Sequence, residues 1–186
     1  MWRVAGLRGL RRGEAVGLRW VDVDLDEGLL HVRQQLIEHG GILHPSEPKS
    51  AASRRTLALD AQTVVLLREH RGRRILDHGE VCEYVFADWR GEPVKPSYVS
   101  HQFAAKVKAS GLPPVRFHDL RHGAATLALA AGVDLKTVQA MLGHSTIVTT
   151  ADIYTSVLPE LQREAAAAIA ALVLAAARTG GPLPQI

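Results

Sequence analysis

Cysteine is almost missing from this chain. Cys82 is the only one, so no intrachain disulfide can form and nothing points to an oxidising compartment. Aromatic residues are sparse, with three each of Trp, Tyr and Phe. A membrane-spanning run is missing as well: "AAAAIAALVLAAA" (165–177) is too short for a bilayer and is mostly alanine, which suits a helix packed on protein. The N-terminus carries arginines but no apolar stretch followed by a small-residue cleavage site, so it does not read as a signal peptide. The expected location is the cytoplasm.

What is present is an ordinary globular composition, 186 residues long and 47% hydrophobic, enough for one domain with a real core. The net charge of +3 is modest but unevenly placed. Of 22 lysines and arginines only Lys136, Arg163 and Arg178 lie beyond Arg121. Dense groups stand at Arg3, Arg8, Arg11, Arg12 and Arg19, and again from Arg54 to Arg74. A face of that kind suits a polyanion such as DNA, with Arg12, Arg54 and Arg55 as expected contacts.

The periodicity predicts a mainly helical domain with one small antiparallel sheet, an α+β fold over residues 1–178, and a short tail over 179–186. A short helix is expected in 9–20, strands near 29–37, up to Pro45 and over 54–59, and an Asp-capped helix over 60–76. Further helices are expected over 97–111 with a serine cap, 118–132 and 134–143, the last two closed by glycine. One more is expected near Tyr154, and an alanine-rich helix from about Pro159.

His118 and His122 stand four apart, the spacing of a metal-binding pair. The metalloprotease signature needs glutamate directly after the first histidine, whereas here Asp119 follows. No third ligand stands out except His144 and no cysteine cluster exists, so the expectation is no metal and no cofactor. A different set is more informative. "HDLRH" puts His118 and Arg121 three apart on one helix face. "GLRRGE" supplies Arg11 with Glu14 three residues on, and "PKS" puts Lys49 at a hairpin tip. His144 and Tyr154 complete it. Any one of these has an ordinary explanation: a surface arginine, a capping histidine, a core tyrosine. Together they are what metal-free phosphodiester transfer needs. Forked guanidinium groups match the charge growing on phosphate oxygens. A phenol serves as nucleophile once its anion is stabilised, and a lysine can protonate the leaving oxygen.

Four stretches, "GLRRGEAVGLRW" (9–20), "PKSAASRRTLAL" (48–59), "HDLRHGAATLALAAGV" (118–133) and "LGHSTIVTTADIY" (142–154), resemble in order the catalytic-domain motifs of the tyrosine recombinases, the family of phage integrases, Cre and the Xer proteins. The resemblance implies the fold of that catalytic domain and a site-specific DNA recombinase acting through a 3′-phosphotyrosine without metal or ATP. It implies Arg11 and Arg121 as paired catalytic arginines, Lys49 as general acid, and His118 and His144 as transition-state or proton-transfer groups. Tyr154 is then the nucleophile and Glu14 a supporting acid. The implied partners are double-stranded DNA and further copies of the chain on that DNA, tetrameric in the family. The segment 160–178, with Ile169, Leu172, Val173 and Leu174, is a candidate to dock on a neighbour or on its own domain.

Relatives carry a separate N-terminal DNA-binding domain and one or two helices before the first arginine motif, which here begins within ten residues of Met1. The expectation is an N-terminally truncated chain in which "MWRVAGLRG" is too short for either element and apolar residues near Val4 and Leu7 are exposed. The rival readings are a non-catalytic DNA-binding remnant and a type IB topoisomerase.

Overall fold

A computed structural model describes residues 1–48, 50–148 and 150–151, together with 166–167, 170–171 and 174–175. Lys49, Tyr154 and the expected helix around the tyrosine lie outside the described residues, as does most of the alanine-rich segment, Ile169, Leu172 and Val173 included.

The chain opens with α1 (Trp2–Arg8), where the sequence suggested too little length for an element. Trp2 packs against Phe103 and Phe117 with ring centroids 5.4 and 5.9 Å apart, and Val4 and Ala5 are buried. The expected exposure of Val4 is therefore corrected, and Leu7 is half-buried. The helix lies along α5 (Asp119–Ala130) and joins the main core. Gly9, left-handed at φ 65°, ends it, so the expected helix of 9–20 shrinks to α2 (Arg12–Val16).

The expected single sheet is two sheets. β1 (Val23–Asp24), β2 (Leu29–Val32) and β5 (Arg55–Ala58) pair antiparallel in the order β1-β2-β5, with Leu30 opposite Leu57. β3 (Gln35–His39) and β4 (Ile42–Ser46) form a separate hairpin across the turn at Gly40 and Gly41. The predicted strand over 29–37 breaks at Arg33 and Gln34. There the Gln34 side chain donates to Gly17 O at 3.0 Å, and β3 packs on α2 instead of continuing the first sheet.

α3 (Ala61–His78) is capped by Asp60, which accepts from Thr63 N at 3.0 Å and binds Arg3 at 2.8 Å. α4 (Pro96–Ala109) starts with proline in its first turn and not from a serine cap: Ser97 gives both its N–H and its hydroxyl to Glu38 at 2.9 Å. α6 (Leu135–Leu142) is capped by Asp134 and closed by left-handed Gly143. Leu129 of α5 and Val138 and Leu142 of α6 form a second small core. Among the described residues no helix is long and apolar enough to cross a membrane.

Candidate functional site

Residues far apart in sequence meet where α2, the Ala51–Ser53 turn and the end of α6 converge. A cleft of about 520 Å³ is lined there by Arg11, Glu14, Gln35, Pro48, Ser50, Ser53, Gly143, His144 and Ser145. Arg11 precedes α2 in extended conformation, and its backbone N–H donates to Glu14 Oε2 at 2.8 Å. Its guanidinium donates to Glu14 Oε1 at 2.7 Å and to Gly143 O at 3.2 Å, so the head group crosses the cleft from one wall to the other.

Glu14 is a buried carboxylate held by two arginines. Arg55 grips it from the far side, Nη1 to Oε1 at 3.1 Å and Nη2 to Oε2 at 2.8 Å. Burial opposes its ionisation, but the hydrogen bonds and charges of Arg55 and Arg11 outweigh burial and hold its pKa below the usual value. Arg121 projects from the first turn of α5 into the protein, donating to Gly9 O at 2.7 Å and to Leu142 O. Burial, and then the neighbouring Arg11 charge, lower its pKa to about 9, which leaves it charged at neutral pH. Its two acceptors are the carbonyl at the end of α1 and the one just before Gly143. Both α1 and α6 thus have to be docked before this guanidinium is satisfied.

His144 follows the left-handed glycine, and its Nδ1 lies 2.9 Å from the hydroxyl of buried Thr150. Burial, then the charges of Arg121, Arg11 and Arg55, lower its pKa to about 4, so the ring is neutral at pH 7. At Gly143 an added Cβ would stand 2.7 Å from Ala52 O and 3.1 Å from Arg55, on a backbone with φ 66°. Only glycine brings His144 this close to the Ala51–Ser53 turn.

The sequence-predicted residues are therefore divided. Arg11, Glu14 and His144 line one cleft, with Arg121 beneath it. His118 is exposed and lines a second groove of about 960 Å³ with Arg12, His101 and Arg116. Gln35 lines both, so the two lie side by side. Partial desolvation in the groove, then His122 and Arg121, lower the His118 pKa; its ring lies 5.3 Å from that of His122, edge to face. No group of three or more metal-ligating side chains exists among the described residues. Arg12 is exposed and donates to Ser100, and Arg54 is exposed and paired with Glu47 at 2.6 Å. Arg55, expected on the DNA side, is instead nearly buried against Glu14. Sequence reasoning passed over Ser53 and Thr150. Ser53 is buried beside Arg11 Nη1 at 3.5 Å, and Thr150 sits in the quoted motif as the partner of His144.

Comparison with known proteins places the chain in a family and shows a shared fold. The family model described as "Phage integrase family" matches residues 1–160. A protein named tyrosine recombinase XerC-like, from Caldanaerobacter subterraneus subsp. tengcongensis, is 34% identical over 176 residues, which cover 84% of this chain and 45% of that one. The ICEBs1 integrase of Bacillus subtilis is 29% identical, over 89% of this chain and 46% of its own. The chain thus spans about half the length of these curated relatives. Among solved structures, the Tn1549 transposon integrase in complex with transposon right end DNA superposes with a TM-score of 0.73 at 22% identity. That match covers 88% of this chain and 57% of the other, and shows the shared fold. XerA recombinase superposes with a TM-score of 0.69 at 28% identity, over 87% of this chain and 54% of its own. On the match over residues 1–160, the chain belongs to the phage integrase family.

Proposed function

We propose that the chain is the catalytic part of a site-specific DNA recombinase that cuts and rejoins double-stranded DNA through a covalent tyrosine intermediate, in the cytoplasm and in company with further copies of itself. The observation that carries this reading is the cleft in which Arg11 and His144 meet above buried, charged Arg121, although Arg11 and Gly143 are 132 positions apart.

In this reading a DNA phosphate enters beside Arg11, whose guanidinium is anchored by Glu14 and Gly143 O and keeps further N–H groups for the non-bridging oxygens. Arg121 adds positive charge from below, fixed by two carbonyls before DNA arrives, so little reorganisation is needed as negative charge develops. Neutral His144 accepts or relays a proton at the phosphate. Tyr154 Oη attacks phosphorus as its proton passes to His144, the P–O5′ bond breaks, and the 5′ oxygen leaves with a proton from Lys49. The products are a 3′-phosphotyrosine and a free 5′-hydroxyl. The phosphodiester bond energy is kept in the covalent link, and attack by a second 5′-hydroxyl reverses the step. The groove shared by Arg12, His101, Arg116 and His118 continues the path of the bound strand. Arg54 contributes from the β5 side.

The test is a suicide DNA substrate nicked beside the cleavage site. The wild-type chain forms a protein–DNA adduct that EDTA does not suppress, and Tyr154→Phe binds the same DNA without forming it. An adduct in the phenylalanine variant would overturn the assignment, and DNA binding with no adduct from the wild type is the outcome expected of a non-catalytic remnant.

A further inference from the structure

Arg55 is absent from the set of side chains that the motifs mark for chemistry, yet it is the most heavily engaged arginine at the site. Its side chain is 5% exposed. Nε donates to Met141 O at 2.6 Å, Nη1 to Ser53 O at 3.0 Å and to Glu14 Oε1 at 3.1 Å, and Nη2 to Glu14 Oε2 at 2.8 Å. Four of the five N–H groups of a guanidinium are thereby used inside the protein. These four bonds reach each wall of the cleft. Glu14 passes the constraint to Arg11, which it holds through both backbone and side chain. Met141 O lies at the end of α6, two residues before Gly143, which packs on the Arg55 side chain and delivers His144. Ser53 closes the third side and shares a 3.0 Å hydrogen bond with Ser50 in the cleft.

We propose that Arg55 is a positioning residue for strand cleavage: it locks Arg11, through Glu14, and His144, through the end of α6, into one register, and it makes no contact with DNA. Resting on the recombinase reading of the cleft, this role adds a residue that touches neither phosphate nor nucleophile. A planar fork is required because one group has to pair side-on with a carboxylate while meeting carbonyls in two other directions. The point charge of lysine meets one of these demands at a time.

The experiment compares wild type, Arg55→Lys and Arg55→Ala on suicide DNA under single-turnover conditions, with DNA affinity measured across a salt series. Arg55→Lys is expected to bind DNA with the affinity and salt slope of wild type, and to cleave the bound DNA about 100-fold more slowly. Guanidinium ions added to Arg55→Ala restore cleavage at least tenfold, and methylammonium ions do not. A salt slope reduced by about 0.9 with unchanged cleavage per bound complex would make Arg55 a phosphate contact and overturn the proposal. So would an equal loss of affinity and cleavage that guanidinium fails to rescue, which marks a purely structural residue. If the wild type itself forms no adduct, the recombinase reading falls, and Arg55 is then judged by NMR. The His144 ring resonances should move in Arg55→Lys and stay in place in Arg54→Lys, and unmoved resonances in Arg55→Lys reject the linkage.

Discussion

Arg11 and Gly143, 132 positions apart, are joined by a 3.2 Å hydrogen bond from the guanidinium to the glycine carbonyl. The same guanidinium binds Glu14 at 2.7 Å, so the position of one head group depends on a helix near the start of the chain and on a turn near its end. Stability and chemistry are coupled at this point, and the variants below read out both.

Glu14→Ala leaves two guanidinium groups facing each other without the buried carboxylate between them. The expected cost is roughly 3–5 kcal/mol, the range for removing one partner of a buried ion pair, measured by denaturant unfolding. The pH dependence has a definite sign. The folded-state pKa of Glu14 lies below its ordinary value of 4.5, so its contribution is fully present above pH 4.5 and is lost as pH falls through the lower folded value. Wild type should therefore lose more stability below pH 4.5 than Glu14→Gln does. Parallel acid-unfolding profiles for the two would contradict this.

Gly143→Ala forces a side chain into a left-handed backbone and to 2.7 Å from Ala52 O. The two effects together cost roughly 2–4 kcal/mol, visible as a lowered melting temperature. Since His144 is the next residue, DNA cleavage is expected to fall further than unfolding alone explains when assayed well below that melting temperature. Gly123→Ala is the control, because an added Cβ there meets nothing within 4 Å.

Lys49 as general acid is tested by replacing the bridging 5′ oxygen with sulfur, a leaving group that needs little protonation. Lys49→Ala should cleave ordinary DNA slowly and regain most of its rate on the sulfur substrate. Equal defects on both substrates would reduce Lys49 to a phosphate-binding group.

Much of this arrangement was legible in the order of residues, and the misses have local causes. Helix stops such as Gly143 and caps such as Asp60 and Asp134 act within one turn, so their spacing in the chain is enough to place them. Arg54 and Arg55 were read alike because both are basic. Across the start of β5 they part: Arg55 shares its face with buried Leu57, while Arg54, just before the strand, is exposed. That difference was available in "SRRTLAL", though the partner it requires, Glu14, lies 41 positions away. The strand break at Arg33 and Gln34 had no comparable sign, since it depends on Gln34 meeting Gly17 and on α2 backing onto β3. The burial of Val4 likewise depends on α5, more than a hundred residues later.

The grip on Arg121 also bears on synthesis of the protein. Its two carbonyl acceptors belong to Gly9 and Leu142, one made early and the other well after Arg121 itself. A ribosome-bound chain that stops short of residue 142 lacks half of that anchor and all of the turn carrying His144. Such a product has Arg11 without the rest of the cleft, so the site can assemble only after Gly143 and His144 have been made.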